Sequence, residues 1–109
     1  MKGERLLEKI TKDQETVICK RAIDTFGAAI QQVIAMEECS ELIQAISKSI
    51  RCKTHNVEEE IADVEIMCKQ LRIIYDSTKV DEIKQNKLKR LEGVVWDGQS
   101  RKQKNEEAH

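Results

Sequence analysis

The sequence contains no proline, and its four glycines are Gly3, Gly27, Gly93 and Gly98. Proline and glycine mark the turns of sheets and hairpins, so their scarcity excludes all-β and doubly wound α/β folds and predicts an almost wholly helical chain. Length sets a second limit, because 109 residues cannot hold a Rossmann unit with a substrate domain, a TIM barrel or two independent cores. We therefore expect one small all-α domain.

Apolar residues are also few, at 39% of the chain, and aromatic residues make up only 3%. One copy of such a chain can bury only a modest core, and its remaining apolar surface needs a partner subunit to cover it. We therefore expect a homo-oligomer.

Neither sign of charge dominates, since 19 lysines and arginines stand against 20 aspartates and glutamates. The chain thus lacks the basic footprint of a nucleic-acid-binding protein. Its longest uncharged run, residues 25–36, is too short and too polar to span a bilayer. The first ten residues lack the apolar core of a signal peptide, and the four cysteines form no C-x-x-C pair. We expect a cytoplasmic protein with reduced thiols and neither nucleic-acid nor membrane partners.

Apolar periodicity predicts four helices. They span about residues 11–26, 28–49, 56–75 and 80–92, after a short charged helix or lead-in over residues 4–10. Thr11 or Asp13 can cap the first helix, and Gly27 marks a break before the second. Asn56 with Glu59 three residues later predicts a capping box at the start of the third.

The fourth helix follows a predicted turn at residues 76–78 and should place Ile83, Leu88 and Leu91 inside. Beyond Gly93 the apolar periodicity is lost. The sequence therefore predicts a single all-α domain over residues 1–93 and a flexible, solvated C-terminal tail over residues 94–109.

Carboxylates interrupt the apolar faces of the second and third helices. At about 100° per residue, Glu38 and Glu41 fall within an apolar arc of the second helix. That arc contains Ile34, Leu42, Ala45 and Ile46. In the third helix Glu60 falls within the apolar arc and Asp63 lies on its margin. Each pair has i, i+3 spacing, which puts both carboxylates on one face, and an uncompensated buried charge is costly. Something cationic must therefore balance them.

A hard divalent cation is one way to balance converging carboxylates, because Mg²⁺ and Mn²⁺ prefer oxygen ligands and Mg²⁺ often bridges to substrate phosphates. Di-iron bundles use Glu-x-x-His, whereas the only histidines here are His55 in a loop and His109 at the terminus. Metal-assisted phosphate chemistry is thus indicated. The alternative is that lysines and arginines pair with these acids in a structural network.

The pattern Glu37-Glu38-x-x-Glu41 followed by Glu60-x-x-Asp63 resembles the signature of the MazG-like all-α nucleoside triphosphate pyrophosphohydrolases. The superfamily also includes dimeric dUTPases and phosphoribosyl-ATP pyrophosphohydrolase, and the resemblance covers about residues 20–92. It implies a four-helix bundle, usually dimeric or tetrameric. It also implies Mg²⁺-dependent hydrolysis of a nucleoside triphosphate between its α and β phosphates.

The resemblance implies that Glu38, Glu41, Glu60 and Asp63 hold the metal. Glu37, on the edge of the same face, would lie in the outer shell or position water. Spacing does not decide which carboxylate takes the proton, and we select Glu38 as the base.

The sequence indicates the substrate-binding residues less clearly than the metal ligands. Lys87 and Arg90 on the fourth helix are candidates to bind the triphosphate, and a solvated basic face explains them equally well. Phe26 and Trp96 are the candidate platforms for a nucleobase, whereas Tyr75 suits core or interface packing.

The function predicted is that of a nucleotide pyrophosphohydrolase acting on (d)NTPs. Its nearest rival is phosphoribosyl-ATP pyrophosphohydrolase, which acts on a histidine-pathway intermediate. An alternative from another class is a non-catalytic helical interaction module, in which the acidic cluster is an ion-pair network or a docking patch.

Overall fold

A computed structural model describes residues 8–107, which contain four α-helices and no strand. The helices are α1 (Lys12–Phe26), α2 (Ala28–Arg51), α3 (Val57–Ile74) and α4 (Ser77–Glu107). The all-α prediction is therefore confirmed. Most of the lead-in predicted over residues 4–10 lies outside the described residues, and residues 8–10 are not helical.

The start of α1 and its junction with α2 follow from local chemistry. Thr11 Oγ1 accepts a hydrogen bond from the Gln14 backbone N–H at 3.1 Å, and Gln14 Oε1 accepts one from the Thr11 N–H at 2.8 Å. This reciprocal capping box confirms Thr11 as the first cap. Gly27 separates the helices with a φ of 93°, a conformation that glycine adopts without a Cβ clash.

Helices α1, α2 and α3 pack against one another, and the largest contact is between α2 and α3. We call that contact the α2–α3 seam. The apolar residues buried in this unit are Cys19, Ala35, Ala45 and Met67. This core is small, and alanine supplies half of its members, so α2 and α3 can approach closely at those positions.

The seam also contains a buried polar pair, because Gln31 Nε2 donates a hydrogen bond to Gln70 Oε1 at 2.7 Å. Both glutamines are 5% exposed. The predicted apolar arc of α2 contained Ile46, which is 44% exposed in the structure. The other residues of that arc lie at least partly inside, since Ala45 is buried and Ile34 and Leu42 are half-buried.

Helix α4 begins where the turn was predicted, and Asp76 Oδ1 accepts a hydrogen bond from the Lys79 N–H at 3.1 Å. The predicted end at Glu92 is wrong, because α4 continues through Gly93 to Glu107, so most of the segment predicted as a tail is helical. No proline stops it, and its C-terminal part is rich in lysine, glutamine and glutamate, which are good helix formers.

Contacts divide the chain into two units, one ending at Tyr75 and the other beginning at Asp76. The boundary predicted at Gly93 therefore falls inside the second unit. None of the α4 residues is buried, so Ile83, Leu88 and Leu91, which were predicted to lie inside, are exposed. Across residues 8–107, no helix has both the length and the apolarity that crossing a membrane requires.

Candidate metal centre

Three carboxylates meet in the α2–α3 seam. Glu38 comes from α2, and Glu60 and Asp63 come from the first two turns of α3. One oxygen from each residue lies within 4.8 Å of the corresponding oxygens of the other two. Glu60 is buried at 8% exposure, and Glu38 and Asp63 are half-buried. The sequence pattern placed these residues on facing helices, and the fold brings them together.

Two oxygens of this cluster have no hydrogen-bond partner. Oε2 of Glu38 and Oε2 of Glu60 are both buried and unpartnered. Among residues 8–107, no lysine or arginine forms an ion pair with Glu38, Glu60 or Asp63. Within the part of the chain that the structure describes, the cluster therefore lacks the basic side chains that a structural ion-pair network requires, and an uncompensated buried carboxylate is costly.

Burial raises the pKa of Glu38 above its ordinary value, and the negative charges of Glu41 and Asp63 raise it further. Burial likewise raises the pKa of Glu60, with Glu41 and Asp63 again the nearest contributing charges. Desolvation and like charge act in the same direction here, since both disfavour the ionised form. A cation entering the cluster would act in the opposite direction, because carboxylates bind metals in their ionised form.

Glu41 and Glu37 occupy more exposed positions on α2. Glu41 is the neighbouring charge that most raises the pKa of both Glu38 and Glu60, and its side chain is within hydrogen-bonding reach of both, but it does not belong to the group of three converging oxygens. Glu37 lies beside Glu41 in a shallow surface depression. The fourth predicted ligand is thus at the margin of the cluster, and Glu37 lies farther out.

The predicted substrate residues lie elsewhere in the chain. Phe26 is the last residue of α1 and is 59% exposed. Lys87 and Arg90 are exposed on α4, in the second unit. Trp96, the other candidate base platform, is 63% exposed on the same helix. Their roles in substrate binding stay predictions.

Asn56 is a residue whose role the sequence pattern did not reveal. It is the N-cap of α3, as predicted, but its side chain makes no capping hydrogen bond, so the capping box with Glu59 is wrong. Instead Asn56 Nδ2 donates to Glu60 Oε1 at 2.9 Å. The i, i+4 spacing of the amide and the carboxylate is the signal that could have indicated this contact.

Comparison of the chain with family models, with curated proteins and with solved structures finds no match. The functional interpretation therefore depends on the residues of the cluster and on their surroundings.

Proposed function

We propose that this chain is a Mg²⁺-dependent nucleoside triphosphate pyrophosphohydrolase of the MazG-like type, with Mn²⁺ able to replace Mg²⁺. It would cleave a (d)NTP between the α and β phosphates and release a nucleoside monophosphate and pyrophosphate. The observation that carries the proposal is the buried carboxylate of Glu60, whose Oε2 has no partner beside two further carboxylates. Strained clusters of ionisable groups are typical of functional sites.

The donor set suits a hard divalent cation. Glu38, Glu60 and Asp63 would hold it through carboxylate oxygens, which Mg²⁺ and Mn²⁺ prefer, and Glu41 would complete the set from the margin. The orphaned oxygens of Glu38 and Glu60 are the atoms that a cation would satisfy. When bound, a divalent cation supplies electrostatic stabilisation of the charge that develops on the phosphates.

The chain's own residues would supply the remaining chemistry. We assign to Glu38 the role of accepting the proton of the attacking water at a carboxylate oxygen, because it lies among the carboxylates that would hold the cation. Glu37, on the adjacent exposed surface, orients water. Lys87 and Arg90 provide positive charge to the phosphates, and Phe26 offers an exposed aromatic ring to the base.

The proposal includes a homodimer or homotetramer in the cytoplasm. Within residues 8–107, four apolar residues are buried, whereas many large apolar side chains remain exposed. This difference supports self-association. Ile30, Met36 and Ile43 on α2 are 56%, 65% and 68% exposed. A second copy would remove such surface from water, which stabilises the folded state by mass action.

A substrate panel with pyrophosphate detection tests the activity. The purified chain is incubated with each common (d)NTP and with phosphoribosyl-ATP, in the presence of Mg²⁺, Mn²⁺ or a chelator. We expect metal-dependent release of pyrophosphate from one or more (d)NTPs. Preference for phosphoribosyl-ATP would identify the rival activity, and no turnover of any compound with either metal would contradict the proposal.

The second candidate is a non-catalytic interaction module, which the exposed apolar residues of α4 favour. Val80, Ile83, Leu88 and Leu91 lie along one side of that helix and line a single groove. Thermal denaturation with and without Mg²⁺ and nucleotide separates the candidates, because a ligand that binds the native state raises the midpoint. The denaturation midpoint of an enzyme should rise when Mg²⁺ and nucleotide are added together, whereas the midpoint of an interaction module should stay the same.

A further inference from the structure

The N-terminus of α3 uses its capping residue in an unusual way. The Asn56 carbonyl oxygen accepts the first intrahelical hydrogen bond from the Glu60 N–H at 3.2 Å. An asparagine at this position normally also accepts a hydrogen bond through its side chain from a free N–H of the first turn. Here the side chain makes no such bond. The His55 Nδ1 instead accepts from the Val57 N–H at 3.3 Å.

The Asn56 amide is directed to the acidic cluster. Its Nδ2 donates to Glu60 Oε1 at 2.9 Å, while Glu60 Oε2 is buried without a partner. The two oxygens of one carboxylate are thus differentiated, since one is held by an amide donor and the other remains available. Because the backbone of Asn56 also bonds to Glu60, the two residues are linked twice across a single helical turn.

We propose that Asn56 is a positioning residue for the cation centre. It holds Glu60 Oε1, fixes the rotamer of the carboxylate and leaves Oε2 to bind the metal. This inference rests on the proposed function, and it assigns to Asn56 a role that helix capping does not require. Partners that orient metal ligands from outside the first coordination shell typically change metal affinity by about 10–100-fold when they are removed.

Binding of Mn²⁺ alone to the full chain tests the assignment. The variant Asn56→Ser separates the two roles, because serine is as good an N-cap as asparagine but carries no amide and is too short to reach Glu60. We expect Asn56→Ser to weaken Mn²⁺ binding by about 10–100-fold. The increase in melting temperature that Mn²⁺ produces should shrink, and this loss should exceed any change in the metal-free melting temperature.

Thr11→Ala is the matched control, since it removes a side-chain cap that is present on α1. It should lower the metal-free melting temperature and leave the Mn²⁺ dissociation constant unchanged. Equal Mn²⁺ affinity in Asn56→Ser and the unaltered chain would overturn the positioning role and leave the proposed function standing. Weaker Mn²⁺ binding by Asn56→Ser with an equivalent loss of metal-free stability would also overturn the positioning role. Failure of the unaltered chain to bind Mn²⁺ would overturn the proposed function and this assignment with it.

Discussion

Glu60 is the residue on which the site depends. It lies in the first turn of α3, where the helix dipole favours negative charge, but Glu58 and Glu59 share that turn and add like charge. Burial and the neighbouring carboxylates disfavour its ionised form. A glutamine of similar shape would avoid this cost while keeping the contact with Asn56. The proposed cation, which needs the charge, would account for a carboxylate at this position.

The first prediction concerns Asp63, where asparagine would remove the charge of a proposed ligand with little change in shape. Asp63→Asn should abolish Mg²⁺-dependent pyrophosphate release, with a loss at least as large as the roughly 10–100-fold that removal of an outer-shell partner costs. Steady-state kinetics measure the loss, and circular dichroism verifies that the helices remain. Glu65→Gln is the control, because Glu65 is exposed on the same helix. If Asp63→Asn retained full activity, Asp63 would not be a ligand.

The second prediction concerns pH and the raised pKa of Glu60. Between the ordinary value of 4.5 and the raised value, the folded chain binds more protons than the unfolded chain. The stability contribution of this residue therefore falls as pH rises through that window, in the absence of metal. In chelator, Glu60→Gln should melt at a higher temperature than the unaltered chain at neutral pH.

Thermal denaturation should show this difference closing as the pH is lowered towards 4.5, where Glu60 is protonated in the folded state. Glu65→Gln again serves as the comparison and should show no pH-dependent gain. A Glu60→Gln chain that is less stable than the unaltered chain at neutral pH would indicate a structural ion pair instead of a strained carboxylate.

At the scale of the helices, sequence patterns predicted most of the architecture. The cap at Thr11, the break at Gly27 and the turn at Asp76 were predicted because each depends on residues close together in sequence. The buried hydrogen bond between Gln31 and Gln70 was not, since the two residues lie 39 positions apart in sequence and meet only in the fold. Hydrophobic periodicity assigns polar residues to the surface and cannot detect such a pair.

The candidate site was predictable to a similar degree. The i, i+3 spacing indicated that Glu38, Glu60 and Asp63 could meet, because adjacent helices present such pairs on one face. Whether Glu41 joins that group depends on how α2 and α3 pack against each other, which the spacing within one helix does not determine. The contact of Asn56 was missed because capping and carboxylate binding compete for the same side chain, and only the folded geometry shows which one it makes.

The third prediction compares two glycines with different backbones. Gly93 lies inside α4 with open space around an added Cβ, whereas Gly27 has a φ of 93°. Gly93→Ala should stabilise α4 by roughly 0.5–1 kcal/mol, because alanine has the higher helix propensity. Gly27→Ala should destabilise the chain, since an L side chain is strained at that φ.

Urea denaturation measures the change in stability for Gly93→Ala and Gly27→Ala. Amide hydrogen exchange should locate the stabilisation by Gly93→Ala in α4. Gly98→Ala offers a second test, because nothing lies within 4 Å of its added Cβ either. Destabilisation by Gly93→Ala would mean that α4 packs at that position on a surface that leaves no room for a methyl group.

For the molecule as a whole, the balance of apolar surface is the main observation. Among residues 8–107, four apolar side chains are buried, and the 31 residues of α4 bury none. A helix in water derives most of its stability from packing of its apolar face and little from propensity alone. We therefore predict that a partner covers the side of α4 that carries Val80, Ile83, Leu88 and Leu91.

The fourth prediction is that the chain self-associates through this side of α4. Sedimentation equilibrium should give two or four times the single-chain mass. Leu91→Gln should raise the dissociation constant by about tenfold or more, because burial of a leucine contributes about 1.5–3 kcal/mol. Lys89 lies on the opposite side of the helix, so Lys89→Gln should leave the dissociation constant unchanged. A chain that remained monomeric at every concentration would leave the exposed apolar residues to a different protein, and the interaction-module alternative would then gain support.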